Sequence, residues 1–319
     1  MKKKKTLTVP PFLVLLWHLF IALRPKQWIK NGFVFAGIIF AGIASKVDDF
    51  KVVTIIFVAF CCVSSSGYLF NDVMDIDKDK HHPKKQNRPI AAGKVSVIQA
   101  VLLAIVLLVA GFAIALSQSM NVGGLLILYA LITFSYSFFF KHVVILDIFM
   151  IALGFVVRVA AGAIAISVDL SPWILICTLL LALFLAISKR RAELYSLAHN
   201  AGNHRKILQQ YTEQFLAEMS STVTSATIIT YSLYAFFIST PITTSISPSS
   251  IQRPYMMLTI PVVIYALFRY LYLLHRKKAG ESPEDVIFKD IPFFISLVLW
   301  ALLCYIIIYR KEWLAFISL

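Results

Sequence analysis

Residues 51–79 read KVVTIIFVAFCCVSSSGYLFNDVMDIDKD. From Val52 to Phe70 no residue is charged, and the run then ends in four aspartates, Asp72, Asp75, Asp77 and Asp79. About 20 apolar residues cross a bilayer core of ~30 Å, so the stretch reads as a spanning helix that carries acids to one membrane face. Working outward, apolar runs recur at 29–45, 96–117, 120–140, 143–166, 172–189, 215–240, 255–274 and 291–309. In hydrocarbon the backbone must satisfy its own hydrogen bonds, which leaves helices as the simplest solution. The expectation is an all-α polytopic bundle of about nine transmembrane helices. Composition agrees: 59% of residues are hydrophobic and mean hydropathy is +0.81, against roughly 45–50% apolar in soluble domains.

The net charge of +14 would suggest nucleic acid in a soluble protein. Here the basic residues fall between apolar runs, so they are read as topology and phosphate chemistry, with no nucleic-acid partner. With the N-terminus in the cytoplasm, inside segments hold 23 of the 30 Lys and Arg residues. Outside segments hold Lys46, Lys51, Arg253, Arg310 and Lys311, and Arg158 and Arg269 lie within spans. The positive-inside rule then orients the chain in an inner or plasma membrane with its long polar loops cytoplasmic. Residues 1–28, with Lys2 to Lys5 and the apolar stretch Phe12–Leu23, lack a small-residue cleavage site. They are read as a cytoplasmic N-terminus and an interfacial helix, and residues 29–319 as one transmembrane domain. Cys61, Cys62, Cys177 and Cys304 lie in apolar runs without metal-ligand spacing and are read as packing residues.

Asp72, Asp75 and Asp79 are spaced i, i+3, i+7 and share a helical face; Asp77 points elsewhere. Acids at a helix C-terminus oppose the macrodipole, so a counter-charge is expected. Mg²⁺ fits, because it takes one or two carboxylates together with substrate phosphates, and Asn71 adds a neutral amide. The next residues include His81, His82, Lys84, Lys85 and Arg88. Lys85 and Arg88 are candidates for phosphate oxygens, Arg88 by its bidentate fork; topogenic charge is the alternative, and the histidines leave zinc open. A second group is Tyr136, Lys141 and Asp147, with Arg158 eleven residues beyond Asp147 on the same face. A charged residue inside a span is a functional candidate, although Arg158 would equally serve as a structural partner for an acid on another helix. A third is Lys189, Arg190, Arg191 and Glu193, at the start of a basic cytoplasmic loop running to Gln214. The loop from His275 to Asp290, with Glu284 and Asp285, is another candidate lid.

At these residues the sequence resembles the UbiA superfamily of membrane prenyltransferases. Asn71, Asp72, Asp75 and Asp79 form its NDxxDxxxD signature near the end of the second helix, and Tyr136, Lys141 and Asp147 match a second recurrent pattern. Within the superfamily, Arg24–Asn31 (RPKQWIKN), His82-Pro83, Lys85, Arg88–Gly93 (RPIAAG) and Lys189–Arg191 with Glu193 are similar to polyprenyl-phosphate phosphoribosyltransferases. That resemblance implies a Mg²⁺-dependent transferase moving 5-phosphoribose from phosphoribosyl diphosphate to a polyprenyl phosphate, with loss of diphosphate. The catalytic and metal set it implies is Asp72, Asp75 and Asp79, with Lys141 and Asp147. The substrate set is Asn71, Lys30, Lys85, Arg88, Tyr136, Arg158, Lys189, Arg190, Arg191 and Glu193. The aromatic prenyltransferases carry a second aspartate-rich motif between helices six and seven, whereas no Asp occurs here from Lys189 to Gln214. The alternative is transfer of a prenyl group from a prenyl diphosphate lipid to an aromatic or other acceptor. A carrier is disfavoured because the acids cluster at one face. A homo-oligomer stays open.

Overall fold

The computed structural model describes residues 11–81, 85–169, 171–198, 206–239, 253, 255–277 and 289–310. Helix α1 (Pro11–Ala22) leads into a 3₁₀ segment (Pro25–Phe35) and the short α2 (Ala36–Ala41). Then come α3 (Val47–Met74), α4 (Ile76–Lys80), α5 (Val97–Gln118), α6 (Met120–Phe138) and α7 (Leu146–Ala165). The chain closes with α8 (Pro172–Ala198), α9 (Glu213–Ser239), α10 (Ile260–Lys277) and α11 (Ile291–Ile308). Among the described residues there is no strand, and eight helical stretches are long and apolar enough to cross a membrane. The chain is an integral membrane protein. Outward faces are apolar, as on α5, where Leu102, Val106 and Val109 are exposed.

Local sequence explains the boundaries. Ser96 and Gln99 form a capping box at the start of α5, each side chain holding the other's backbone N–H. Ser119 ends α5 and caps α6, its Oγ accepting from Val122 N–H at 3.2 Å, so one residue joins two antiparallel spans. Asp290 caps α11 by accepting from Phe293 N–H at 3.0 Å, just before Pro292. Helix α1 has 12 residues, about 18 Å at helical rise, too short to cross. Its Phe12, Trp17 and Phe20 are exposed.

The expected first span, 29–45, is not a regular helix. It forms from the 3₁₀ segment and α2. This broken stretch is not among the eight helices long and apolar enough to cross a membrane. The segment lies against α3 and α7. A Cβ at Gly162 would sit 1.8 Å from the Val34 carbonyl oxygen, and one at Gly37 would sit 2.9 Å from Ala163 Cα. Backbone meets backbone there, the small-residue packing of membrane helices. Around that contact Val34, Ile38, Phe60, Tyr129 and Ala161 build the central core.

A second correction concerns α8. The expected span stopped at 189 with a loop beyond, but the helix runs on to Ala198. Lys189, Arg190, Arg191 and Glu193 are therefore helical. His82, Pro83, Lys84, the stretch 199–205, Glu284 and Asp285 lie outside the described residues.

Candidate active site

Helix α3 ends at Met74, Asp75 takes φ −98° and ψ 13°, and α4 resumes the helical course at Ile76. Asp75 N–H still donates to Asn71 O, and Asp79 N–H to Asp75 O, so the i, i+3, i+7 face survives the break. Asp72 and Asp79 are buried, at 3% and 2% exposure, although both have carboxyl side chains. Cations compensate them. One nitrogen of Arg88, Nη1, donates to Asp72 Oδ1 at 3.0 Å and to Asp79 Oδ2 at 2.5 Å. Lys85 Nζ is 3.9 Å from Asp79, and Lys141 Nζ is 3.6 Å from Asp75. Arg24 donates to Asp72 Oδ1 as well, and its guanidinium lies 4.9 Å over the Tyr68 ring. Asp77 faces solvent beside Lys80, as its spacing implies.

Three expected site groups thus meet at one end of the bundle: the aspartates, the Lys85–Arg88 turn and Lys141. Arg24 completes them and was not among the expected site residues. It takes left-handed backbone angles, φ 57° and ψ 61°, just before Pro25. That turn is how a residue 48 positions from Asp72 reaches it. Its sequence signal was its place at the head of the RPKQWIKN stretch that carries the resemblance, which gave it no role.

Tyr136, Asp147, Arg190 and Glu193 form a second network. Arg190 Nε donates to Asp147 Oδ2 at 2.6 Å, Nη1 to Glu193 at 2.7 Å, and Nη2 to the Tyr136 hydroxyl at 3.1 Å. Asp147 is fully buried. Its other oxygen accepts from the Tyr211 hydroxyl at 2.7 Å, and that hydroxyl accepts from Ile145 N–H at 2.7 Å. Ile145 is β-branched yet has φ 72° and ψ −48°, a strained backbone that persists only where surroundings hold it. Burial, then donation to Asp147, pushes the Tyr211 phenol above its ordinary range, so it stays a donor. Tyr211 was missed because nothing periodic marks an aromatic residue in a loop. Arg191 is buried, 4.0 Å from Glu213, and Lys189 is exposed.

Arg158 and Asp147 share a helix face without touching. Arg158 Nε donates to Asn31 Oδ1, Nη1 to Gly154 O and Nη2 to the Tyr129 hydroxyl, at 2.8, 2.8 and 2.7 Å. The acid expected opposite Arg158 is therefore not its partner; three neutral acceptors are. Asp290, whose place was open, forms a fork with Arg269 at 2.9 and 3.0 Å.

Among the described residues no group of three or more His, Cys, Asp or Glu is arranged to hold a metal by itself. The convergence of Asp72 and Asp79 on one Arg88 nitrogen nevertheless shows two carboxylates aimed at one cationic point. Hard oxygen donors, two of them from protein, match what Mg²⁺ takes when phosphates complete its shell.

The family model for the UbiA prenyltransferase family matches residues 32–298. The chain belongs to this family. Among UbiA relatives, it is 35% identical over 283 residues to decaprenyl-phosphate phosphoribosyltransferase of Mycolicibacterium smegmatis, covering 88% of each chain. It is 30% identical to the enzyme of that name from Corynebacterium glutamicum, over 88% of this chain and 83% of the relative. Its fold matches a UbiA homolog from Archaeoglobus fulgidus, solved bound to GPP and Mg²⁺, with TM-score 0.69 and 19% identity over 91% of this chain and 99% of that one.

Proposed function

We propose that this UbiA-family transferase moves 5-phosphoribose from phosphoribosyl diphosphate to a polyprenyl phosphate, releasing diphosphate. The observation that carries the reading is the charge balance of the site. Three carboxylates, Asp72, Asp75 and Asp79, are met by four cations, Arg24, Lys85, Arg88 and Lys141. A site that adds Mg²⁺ to this set is strongly cationic and suits a substrate pair rich in phosphate. The relatives that share most of the chain's length carry the matching name.

Asp72, Asp75 and Asp79 would hold Mg²⁺ through their oxygens. When bound, the ion supplies neutralisation of the charge that builds on the leaving diphosphate. Arg88 and Lys85 turn from carboxylate to phosphate oxygens, Arg88 with a planar fork suited to them. Lys141 does the same from the turn between α6 and α7. Arg24 holds Asp72 by the same oxygen, Oδ1, that Arg88 contacts. The acceptor phosphate is already anionic, so attack on the ribosyl carbon needs no general base. Arg190 is spent on Asp147, Glu193 and Tyr136; in this reading it fixes the Tyr136 hydroxyl at the site edge. The site faces the cytoplasm of a plasma or inner membrane, and the polyprenyl tail lies along the bundle.

The test offers purified protein labelled phosphoribosyl diphosphate with a polyprenyl phosphate, and in parallel a prenyl diphosphate with aromatic acceptors. Lipid-extractable label in the first arm, dependent on Mg²⁺, is expected. Product in the second arm alone would overturn the donor assignment.

A further inference from the structure

Arg158 lies deep in the bundle, 6% exposed, and the cluster above does not use it. No carboxylate among the described residues is within ion-pair distance of it: its acceptors are the Asn31 amide, the Gly154 carbonyl and the Tyr129 hydroxyl. Its guanidinium is stacked 4.5 Å from the Tyr129 ring centroid and 5.1 Å from that of Phe155. A guanidinium has five N–H donors, so two remain without a protein acceptor. Burying a charge without a counter-charge costs several kcal/mol. Neutral acceptors would be served as well by a neutral donor, and the two ring contacts, at about 0.5–2 kcal/mol each, offset only part of the cost of burying the charge.

The position is connected to the carboxylate cluster. Ser64, Tyr68 and Asp72 recur every four residues along one face of α3. Asn31 donates to Ser64 at 3.1 Å at the lower end, and Arg24 covers Tyr68 near the upper end. Eight residues of helix place this lower group about 12 Å beneath Asp72.

Resting on the transferase reading, we propose that Arg158, with Tyr129 beside it, is a second anion subsite that takes a phosphate monoester. The monoester supplies the missing counter-charge and accepts the two remaining N–H groups. Its source is either the 5-phosphate of the donor or the phosphate of the polyprenyl acceptor.

The experiment compares wild type with Asn31→Asp and Arg158→Gln. Asn31→Asp keeps the side-chain shape and sets a carboxylate where Arg158 Nε already donates, so it neutralises the subsite, exchanging the amide's donations to Ser64 and Cys61 for an ion pair. Thermal unfolding in detergent is followed with ribose 5-phosphate, with farnesyl phosphate, and with inorganic pyrophosphate plus Mg²⁺. One monoester is expected to raise the wild-type midpoint and to lose that effect in both variants, while the pyrophosphate shift persists. The KM of the substrate bearing that phosphate rises by at least about tenfold, the loss of one charged contact. Which monoester responds identifies the source. A folded variant that binds both monoesters as wild type does overturns the proposal, as does a wild type that responds to neither. If wild type makes no phosphoribosyl product yet its monoester binding is lost in the variants, the transfer reading falls and the subsite stands. If Arg158→Gln does not fold, Asn31→Asp alone decides.

Discussion

Arg88 gives one nitrogen to two buried carboxylates, and its replacement separates charge from geometry. Lysine keeps the charge and loses the planar fork. Arg88→Lys is expected to lower kcat/KM by about 10–100-fold, the equivalent of one charge-assisted hydrogen bond of ~1.5–3 kcal/mol. Asp72→Asn keeps size and removes charge; turnover should fall by about 10²-fold or more, with the protein still membrane-inserted and cooperative in thermal unfolding. Near-normal turnover in Asp72→Asn would remove the carboxylate from the chemistry. Asp72 and Asp79 were legible because positions seven apart need only two helical turns to share a face, and Arg88 because a short turn follows them; that Asp75 faces Lys141 instead was not. Arg24 was hidden, since its approach depends on one left-handed residue that no pattern announces. Arg158 was legible as a charge inside a span, but its partners were not: the alternative of an acid on another helix gives way to the Asn31 amide, the Gly154 carbonyl and the Tyr129 hydroxyl.

At the scale of elements, the Arg190–Asp147–Tyr211 network ties three segments together: α8, the first turn of α7, and the 3₁₀ turn Lys206–Gln210 with Tyr211 after it. Sequence reading places Arg190, Arg191 and Glu193 in a loop for substrate, because a run of Lys-Arg-Arg looks like a topological stop. Two arginines buried inside a continuing helix are only visible once the partner carboxylates are placed. Breaking a buried ion pair from one side leaves an uncompensated charge and costs about 3–5 kcal/mol. For Asp147→Asn the expectation is the lower end of that range, about 3 kcal/mol, since Glu193 still faces Arg190 at 2.7 Å. Tyr211→Phe removes one acceptor and one donor and is expected to cost ~1–3 kcal/mol, with the strained Ile145 turn relaxing as it loses its N–H partner. Denaturation of both variants in detergent checks the ranking; a Tyr211→Phe protein as stable as wild type would show that the hydroxyl holds nothing. The pH sign follows from the raised phenol. Its stabilisation is complete below about pH 10, the unfolded phenol's range, and is lost as pH rises from there through the raised folded value, because the unfolded phenol ionises first.

For the whole molecule, the decisive contact is the one that seats the 3₁₀ segment, because that segment carries Lys30 and Asn31 and follows Arg24 directly. Its irregular helix escaped sequence reading: apolar content and length were right for a span, but nothing in composition separates a 3₁₀ rise from an α rise. What holds it is absence of a side chain at Gly162, where a Cβ would lie 1.8 Å from Val34 O and 2.7 Å from Val34 C. Both are backbone atoms and cannot rotate away, so the whole segment would have to shift. Helix propensity alone favours alanine over glycine by about 1 kcal/mol, so the sign of the effect is informative. Gly124, on α6, has nothing within 4 Å of its Cβ position, and Gly124→Ala should raise stability by up to about 1 kcal/mol without altering turnover. Gly162→Ala should reverse that sign, costing roughly 1–3 kcal/mol through overpacking. It should also lower kcat by about tenfold or more, although it touches no substrate, since a displacement near 1 Å at positioning groups costs up to about 10²-fold. Equal stability gains in the two alanine variants would mean that the segment slides freely on α7, and the alignment of Arg24 with Asp72 would then need another cause.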